Sequence, residues 1–221
     1  MQRLMRRRFF TSILTALLGM FVLVSGAAYA QDITLPEPQT TGGLGIFDAL
    51  KKRASVSGGD FSAAEVTLEE LSTVLWAASG LNRGTTGWTV PMAEGLPPYV
   101  KIFVAGPQGV FRYSWEEHKL IEISKDNVKD KIGHQTFVKK AYYILIFASD
   151  SEISSQLKRG KAHVGDFTQV LVGAMTQNIY LAAGGLNLGT RYIHRMNVDD
   201  VVQAVGLTSP DYPIALMLLG K

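Results

Sequence analysis

The sequence predicts an α+β fold: a mixed, mostly antiparallel sheet packed with helices around one long buried central helix. Three observations carry that expectation. Two β-type runs, Tyr99 to Ala105 and Val110 to Ser114, flank Gly106-Pro107-Gln108-Gly109 and read as a hairpin. The run Ala141 to Ala148 is almost wholly apolar, which marks a strand covered on both faces. From Asp166 to about Asn187 the chain is apolar nearly all round, the pattern of a helix enclosed by other elements. Its Gln169, Gln177 and Asn178 would be costly in lipid, so enclosure in protein is favoured over a membrane span.

The remaining elements follow in chain order. Asp32 to Gly45 is rich in Pro, Gly and Thr and reads as an extended arm, so that 31–45 precede a single domain over 46–221. Ile46 to Arg53 is a short helix with Phe47 and Leu50 on one face. Ser55 to Ala64, with Gly58-Gly59, is a loop. Thr67 to Ser79 is the clearest helix: Thr67 and Glu70 form a capping box. Leu68, Leu71, Val74, Leu75 and Ala78 make its stripe, and Gly80 suits its end. Asn82 to Pro98 is a long Gly/Pro connection. Leu120 to Ile123 continues the meander after a turn at Glu116–His118. Near the end, Tyr192 to Met196 reads as a short strand. Asn197 caps a helix to about Val205, with Asp200 at N3. Ile214 to Leu219 reads as the last strand.

Residues 1–30 are expected to stand apart from this domain. Arg3, Arg6, Arg7 and Arg8 precede an apolar run from Phe9 to about Ala28, and Ala28-Tyr29-Ala30 offers a small-x-small site. These are the three parts of a secretory signal, cleaved after Ala30, which implies a periplasmic or secreted protein. The run could also span a bilayer, leaving an N-terminal membrane anchor as the alternative. Once the leader is cleaved, no stable membrane insertion is expected. Arg6-Arg7-Arg8-Phe9-Phe10 resembles a twin-arginine signal, with Met5 where Ser or Thr is usual.

The whole chain carries +3, but the leader holds four Arg and no acids, which leaves 18 basic against 19 acidic side chains. No basic face for nucleic acid is implied. The absence of Cys rules out disulfides, thiolate metal sites and cysteine nucleophiles. His118, His134, His163 and His194 lack metal-ligand spacing, and no metal site is expected. Ser155-Gln156-Leu157-Lys158 matches a Ser-x-x-Lys pattern without its companion motifs. Gly42-Gly43-Leu44-Gly45 follows no strand and lacks the third glycine of a dinucleotide loop.

Four segments together carry a whole-chain resemblance. They are Leu35-Pro36-Glu37-Pro38-Gln39-Thr40 with Gly42-Gly43 and Ala49-Leu50-Lys51-Lys52-Arg53; Leu68-Glu69-Glu70-Leu71 through Leu75 to Arg83; Gly173-Ala174-Met175-Thr176-Gln177-Asn178 with Leu181-Ala182-Ala183 and Leu188-Gly189-Thr190; and the terminal Leu219-Gly220-Lys221. In this order they resemble the nitroreductase family, in its small exported branch close to the thiazoline/oxazoline dehydrogenases. The resemblance implies a nitroreductase-like fold and a homodimer with FMN at the subunit interface. It also implies hydride transfer from NAD(P)H or another donor to an oxidised small-molecule substrate. Carried over residue by residue, Arg53 and Ser55 match the family's Arg-x-Ser-x-Arg phosphate element, whose third position is Ser57. Asn82 matches the polar residue of the flavin loop. Gly184, Gly185 and Leu186 lie where backbone nears the flavin ring. No general acid stands out; in this family the flavin carries the redox chemistry.

Each of these residues also has an ordinary structural role open to it. Arg53 suits a helix C-terminus, Ser55 and Asn82 suit turns, and Gly173, Gly184 and Gly185 permit close helix packing. Two departures fall at the cofactor site. Ser57 replaces the second Arg, a loss of about 1.5–3 kcal/mol for a charged phosphate contact. The loop Pro-Ser-Ala-x-Asn-x-Gln of relatives reads Pro91-Met92-Ala93-Glu94-Gly95-Leu96-Pro97. Two functions therefore stay open: an FMN oxidoreductase with Trp88, Met92 and Leu96 shaping an apolar substrate face, or a flavin-free scaffold for binding or assembly.

Overall fold

The computed structural model describes residues 31–58, 60–158 and 163–221; the leader expected over 1–30 lies outside the described residues. In chain order the first elements are β1 (Ile33–Thr34), α1 (Ile46–Lys52), α2 (Leu68–Ser79), β2 (Leu81–Arg83) and β3 (Gly87–Trp88). A 3-10 turn (Ala93–Gly95) leads into β4 (Val100–Gly106), β5 (Gly109–Ser114) and β6 (Lys119–Ser124). Next come α3 (Lys129–Ile132), a 3-10 turn (Val138–Lys140), β7 (Tyr143–Ser149) and α4 (Ser151–Ser154). The chain ends with α5 (Val164–Gly185), β8 (Gly189–Ile193), α6 (Val198–Val205) and β9 (Pro213–Gly220).

The main sheet has the order β1-β6-β5-β4-β7-β9-β8, and every pairing within it is antiparallel. Its β4–β5 turn needs Gly109, where a Cβ would meet the Ser124 carbonyl oxygen at 2.2 Å. β7 explains why the sheet has helices on both faces. Tyr143, Leu145 and Phe147 join a core with α2 and α5, while Ile144, Ile146 and Ala148 join a second core with α3 and α6. All seven β7 residues are buried, so an unbroken apolar run suits a central strand of an antiparallel sheet.

α2 begins as expected, with Thr67 Oγ1 accepting from the Glu70 amide and Glu70 reaching back to the Thr67 amide. Gly80 ends it in an extended conformation. On α5, Leu171, Met175, Ile179 and Ala183 face the core. Asn178 donates from Nδ2 to the Ala77 and Thr89 carbonyls, tying α5 to α2 and the segment after it. Enclosure of α5 is nonetheless partial, because Gln169, Gly173 and Gln177 are exposed and Val170 is 74% exposed. The face expected for α1 is also turned outward: Phe47 is 83% and Leu50 48% exposed, while Ala49 is buried.

Three further expectations change. The connection after α2 holds the small β2–β3 hairpin, paired Leu81 to Trp88. β8 starts at Gly189, because its ladder to β9 runs from Gly189–Gly220 to Ile193–Leu216. Asn197 occupies the N-cap of α6 without a side-chain cap bond; its Nδ2 donates instead to the Lys131 and Gly133 carbonyls.

The N-terminal arm is extended but anchored at its start. Leu35 is buried in the core, and its amide donates to the His118 carbonyl. His118, at φ +47° in the β5–β6 turn, has Nε2 at 2.7 Å from Ser72 Oγ and 3.2 Å from the Pro36 carbonyl, with Nδ1 3.0 Å from the Tyr113 hydroxyl. Burial pushes this imidazole below its usual value, against opposing contributions from the Pro36 carbonyl and Glu37. The unfolded chain therefore binds this proton more readily than the folded one, and stability falls as pH drops below the unperturbed value of 6.5. His118→Asn, which tolerates positive φ, should flatten that part of a urea-unfolding pH profile. Thr67→Ala should cost about 1 kcal/mol in the same assay, as loss of an N-cap does.

Candidate functional site

The site grows from the free edge of β8. An unpaired sheet edge needs partners for its outward amides and carbonyls. The chain leaving α1 supplies part of them: the Val56 amide donates to the Thr190 carbonyl at 3.1 Å, and Arg191 Nη1 donates to the Val56 carbonyl at 2.9 Å. Tyr180, on the last turns of α5, supplies another, since its hydroxyl accepts the Tyr192 amide at 2.9 Å. The same hydroxyl lies 2.6 Å from Ser55 Oγ, and the Arg53 guanidinium sits 5.2 Å above the Tyr180 ring.

Beside this cluster opens a cavity of about 330 Å³, lined by Lys52, Ala54, Val56, Tyr180, Gly184 and Asn187 among others. Lys52 Nζ is held by Asn187 Oδ1. Lys221 also lines the cavity, with Nζ 3.0 Å from Glu70 Oε1. Among the described residues Arg53 meets no carboxylate within 4 Å, so its charge is available to a ligand. A Cβ built on Gly184 or Gly185 would meet nothing within 4 Å, and the same holds for Gly173. Close packing within the chain is therefore not why these positions are glycine.

The residues singled out from sequence fall along one side of the molecule in three depressions. Arg53, Ser55 and Gly184 gather around Tyr180. Gly185 and Leu186 line a second cavity of about 310 Å³, shared with Thr40, Ile46, Ala49 and Trp76. Asn82 lines a third, of about 540 Å³, with Thr40, Trp76, Leu81 and Arg83. Ser57 is exposed in the loop beyond and lines none of the three. Trp88 does not shape an open face: it is buried edge-on against Trp115, centroids 5.8 Å apart. Met92 and Leu96 are half-buried against the core. Ser155 Oγ donates to the Glu152 carbonyl.

Tyr180, Lys52 and Asn187 were not singled out by their residue types. Their signal was positional: Tyr180, Gly184 and Asn187 follow one another at helical spacing near the C-terminal end of a long apolar helix. The whole constellation offers two cations, a hydroxyl and exposed helix backbone to a ligand with an anionic end and a flat, partly apolar body.

The chain matches the Nitroreductase family across residues 50–221. A protein of Methanocaldococcus jannaschii named for that family is 29% identical over 201 residues, covering 86% of this chain and 96% of the relative. A crystal structure from Ralstonia eutropha, also named for it, aligns at a TM-score of 0.78 and 29% identity, over 86% of this chain and 89% of that one. The NADPH:FMN oxidoreductase of Vibrio harveyi, solved with NAD+, shares the fold at a TM-score of 0.54 and 20% identity, over 79% of this chain and 67% of its own. With a family match over most of its length and the α+β architecture of those structures, the chain belongs to the nitroreductase family, whose members are flavin-dependent oxidoreductases.

Proposed function

We propose that this protein is an exported, homodimeric FMN oxidoreductase that reduces an oxidised small molecule. The observation that carries the reading is Gly184, open to the cavity beside Lys52 and next to the Arg53–Ser55–Tyr180 cluster. Gly184 stands in the last turn of α5, where a glycine costs up to about 1 kcal/mol relative to Ala, and nothing inside the chain requires it here. A ligand lying against the backbone does. The chemistry FMN supplies when bound is two-electron hydride transfer from a donor such as NAD(P)H to the substrate.

The residues present fit that group. Arg53 and Lys52 supply positive charge to a phosphate, and Lys52 offsets part of what is lost with Ser57 at the third position of the phosphate element. Ser55 adds a hydroxyl donor. Gly184 and Gly185 let a planar ring approach the end of α5. The exposed Ile46, Phe47 and Leu50 of α1, with Val170 of α5, supply apolar surface for a second copy of the chain. Export rests on the Arg-rich, apolar leader ending at Ala30.

The rebuilt segment Pro91–Pro97 and the inward packing of Trp88 favour the second reading, a flavin-free scaffold, at the substrate face alone. Absorption spectroscopy on the protein purified from the periplasm separates the two. A flavin band is expected, and colourless protein that also refuses added FMN would defeat the oxidoreductase reading. Arg53→Ala should weaken FMN by roughly ten- to a hundredfold, as loss of a charged contact does. Gly184→Ala should raise the unfolding free energy of flavin-free protein by about 0.5–1 kcal/mol while lowering FMN affinity. A variant that gains stability without losing FMN would show that the helix backbone is not part of the site.

A further inference from the structure

The Tyr180 hydroxyl has two polar neighbours and one proton. The Tyr192 amide can only donate to it. The phenol proton is therefore free for Ser55 Oγ, 2.6 Å away, and a phenol is a better donor to an aliphatic hydroxyl than the reverse. Ser55 makes no other side-chain hydrogen bond among the described residues, so its own proton is uncommitted. The chain of donors runs one way, from the Tyr192 amide through Tyr180 to Ser55 and outward, and each link strengthens the next.

The backbone around Ser55 is fixed on both sides. The Arg53 amide donates to the Ala49 carbonyl at 2.9 Å, and the Val56 amide holds the edge of β8. The Arg53 guanidinium carbon lies 5.2 Å from the centre of the Tyr180 ring, a cation–π contact that uses none of its N–H donors. Two donors thus sit against the same tyrosine with no acceptor of their own, and the acceptor they suit is an anionic oxygen.

We propose that Tyr180 is a positioning residue that polarises Ser55 and seats Arg53 to receive a phosphate monoester. This rests on the flavin reading above, in which that monoester is the phosphate of FMN; a free phosphate ion offers the same chemistry. Tyr180 reaches the ligand only through its two partners.

The test uses the processed full-length chain and flavin-fluorescence titrations with FMN and with riboflavin, which lacks the phosphate. Inorganic phosphate is added as competitor. Wild type should bind FMN more tightly than riboflavin, and phosphate should displace FMN without affecting riboflavin. Tyr180→Phe keeps the ring under Arg53 and should lose about tenfold in FMN affinity, as one good hydrogen bond is worth, with riboflavin unchanged. In a Ser55→Ala background the same substitution should have no further effect, which a merely structural role would not produce. Equal losses for both flavins, or an undiminished loss without Ser55, would overturn the positioning role. Equal wild-type affinity for FMN and riboflavin would overturn the phosphate assignment and leave the flavin reading standing. Wild type that binds neither flavin would overturn both.

Discussion

Burial of β7 on both faces is the constraint from which the rest of the architecture follows. Seven consecutive buried residues cannot be served by one layer of helices. The odd set, Tyr143, Leu145 and Phe147, requires α2 and α5; the even set, Ile144, Ile146 and Ala148, requires α3 and α6. Truncating a side chain such as Phe147 costs about 3–5 kcal/mol in a packed core, so register errors along this strand are strongly disfavoured. The 22-residue α5 lies across the sheet with its inner stripe fixed and its outer stripe exposed. Its C-terminal end consequently reaches the β8 edge, where the polar groups need partners.

That edge is where structure and the proposed binding site share the same atoms. Val56, Tyr180 and Arg191 satisfy or cover backbone groups that would otherwise be available to another strand. In doing so they fix the chain from Arg53 to Val56 against the end of α5. A loop held only by its own turn would sample many side-chain directions. Here the direction of Arg53 and Ser55 is set by an obligatory backbone requirement, so a preorganised pair of donors costs the ligand little ordering entropy.

The layers and the central strands are readable because they depend on local periodicity. The capping box of α2, the Gly106–Gly109 turn and the β7 run each act within a few residues. The strand expected over Tyr192–Met196 is displaced to Gly189–Ile193, because Gly189 and Thr190 look like a helix exit until Leu219 and Gly220 are known to pair with them. The outward face of α1 was misread because Phe47 and Leu50 have the period of a core helix, and periodicity does not reveal which side the core is on. Arg53, Ser55 and Gly184 stood out through family resemblance. Tyr180 did not, because its contribution is a pair of hydrogen bonds to residues 125 and 12 positions away, a relation that no local pattern contains.

Several features weigh against the stability of an isolated chain. Gly173, Gly184 and Gly185 sit in α5 with open space where a Cβ would be, at about 1 kcal/mol relative to Ala for Gly173 and up to that for the two in the last turn. Ile46, Phe47 and Leu50 hold apolar surface in water, at roughly 25 cal/mol for each Å² left uncovered. Neither cost is offset by a contact within the described residues. Binding to the folded state alone stabilises it by mass action, about 2.7 kcal/mol at a hundredfold excess over Kd. A flavin against the glycines and a second subunit over α1 would each return free energy at the place where it is missing. Ile46 of α1 and Gly185 of α5 line the same depression, so at that point one occupant would relieve both costs.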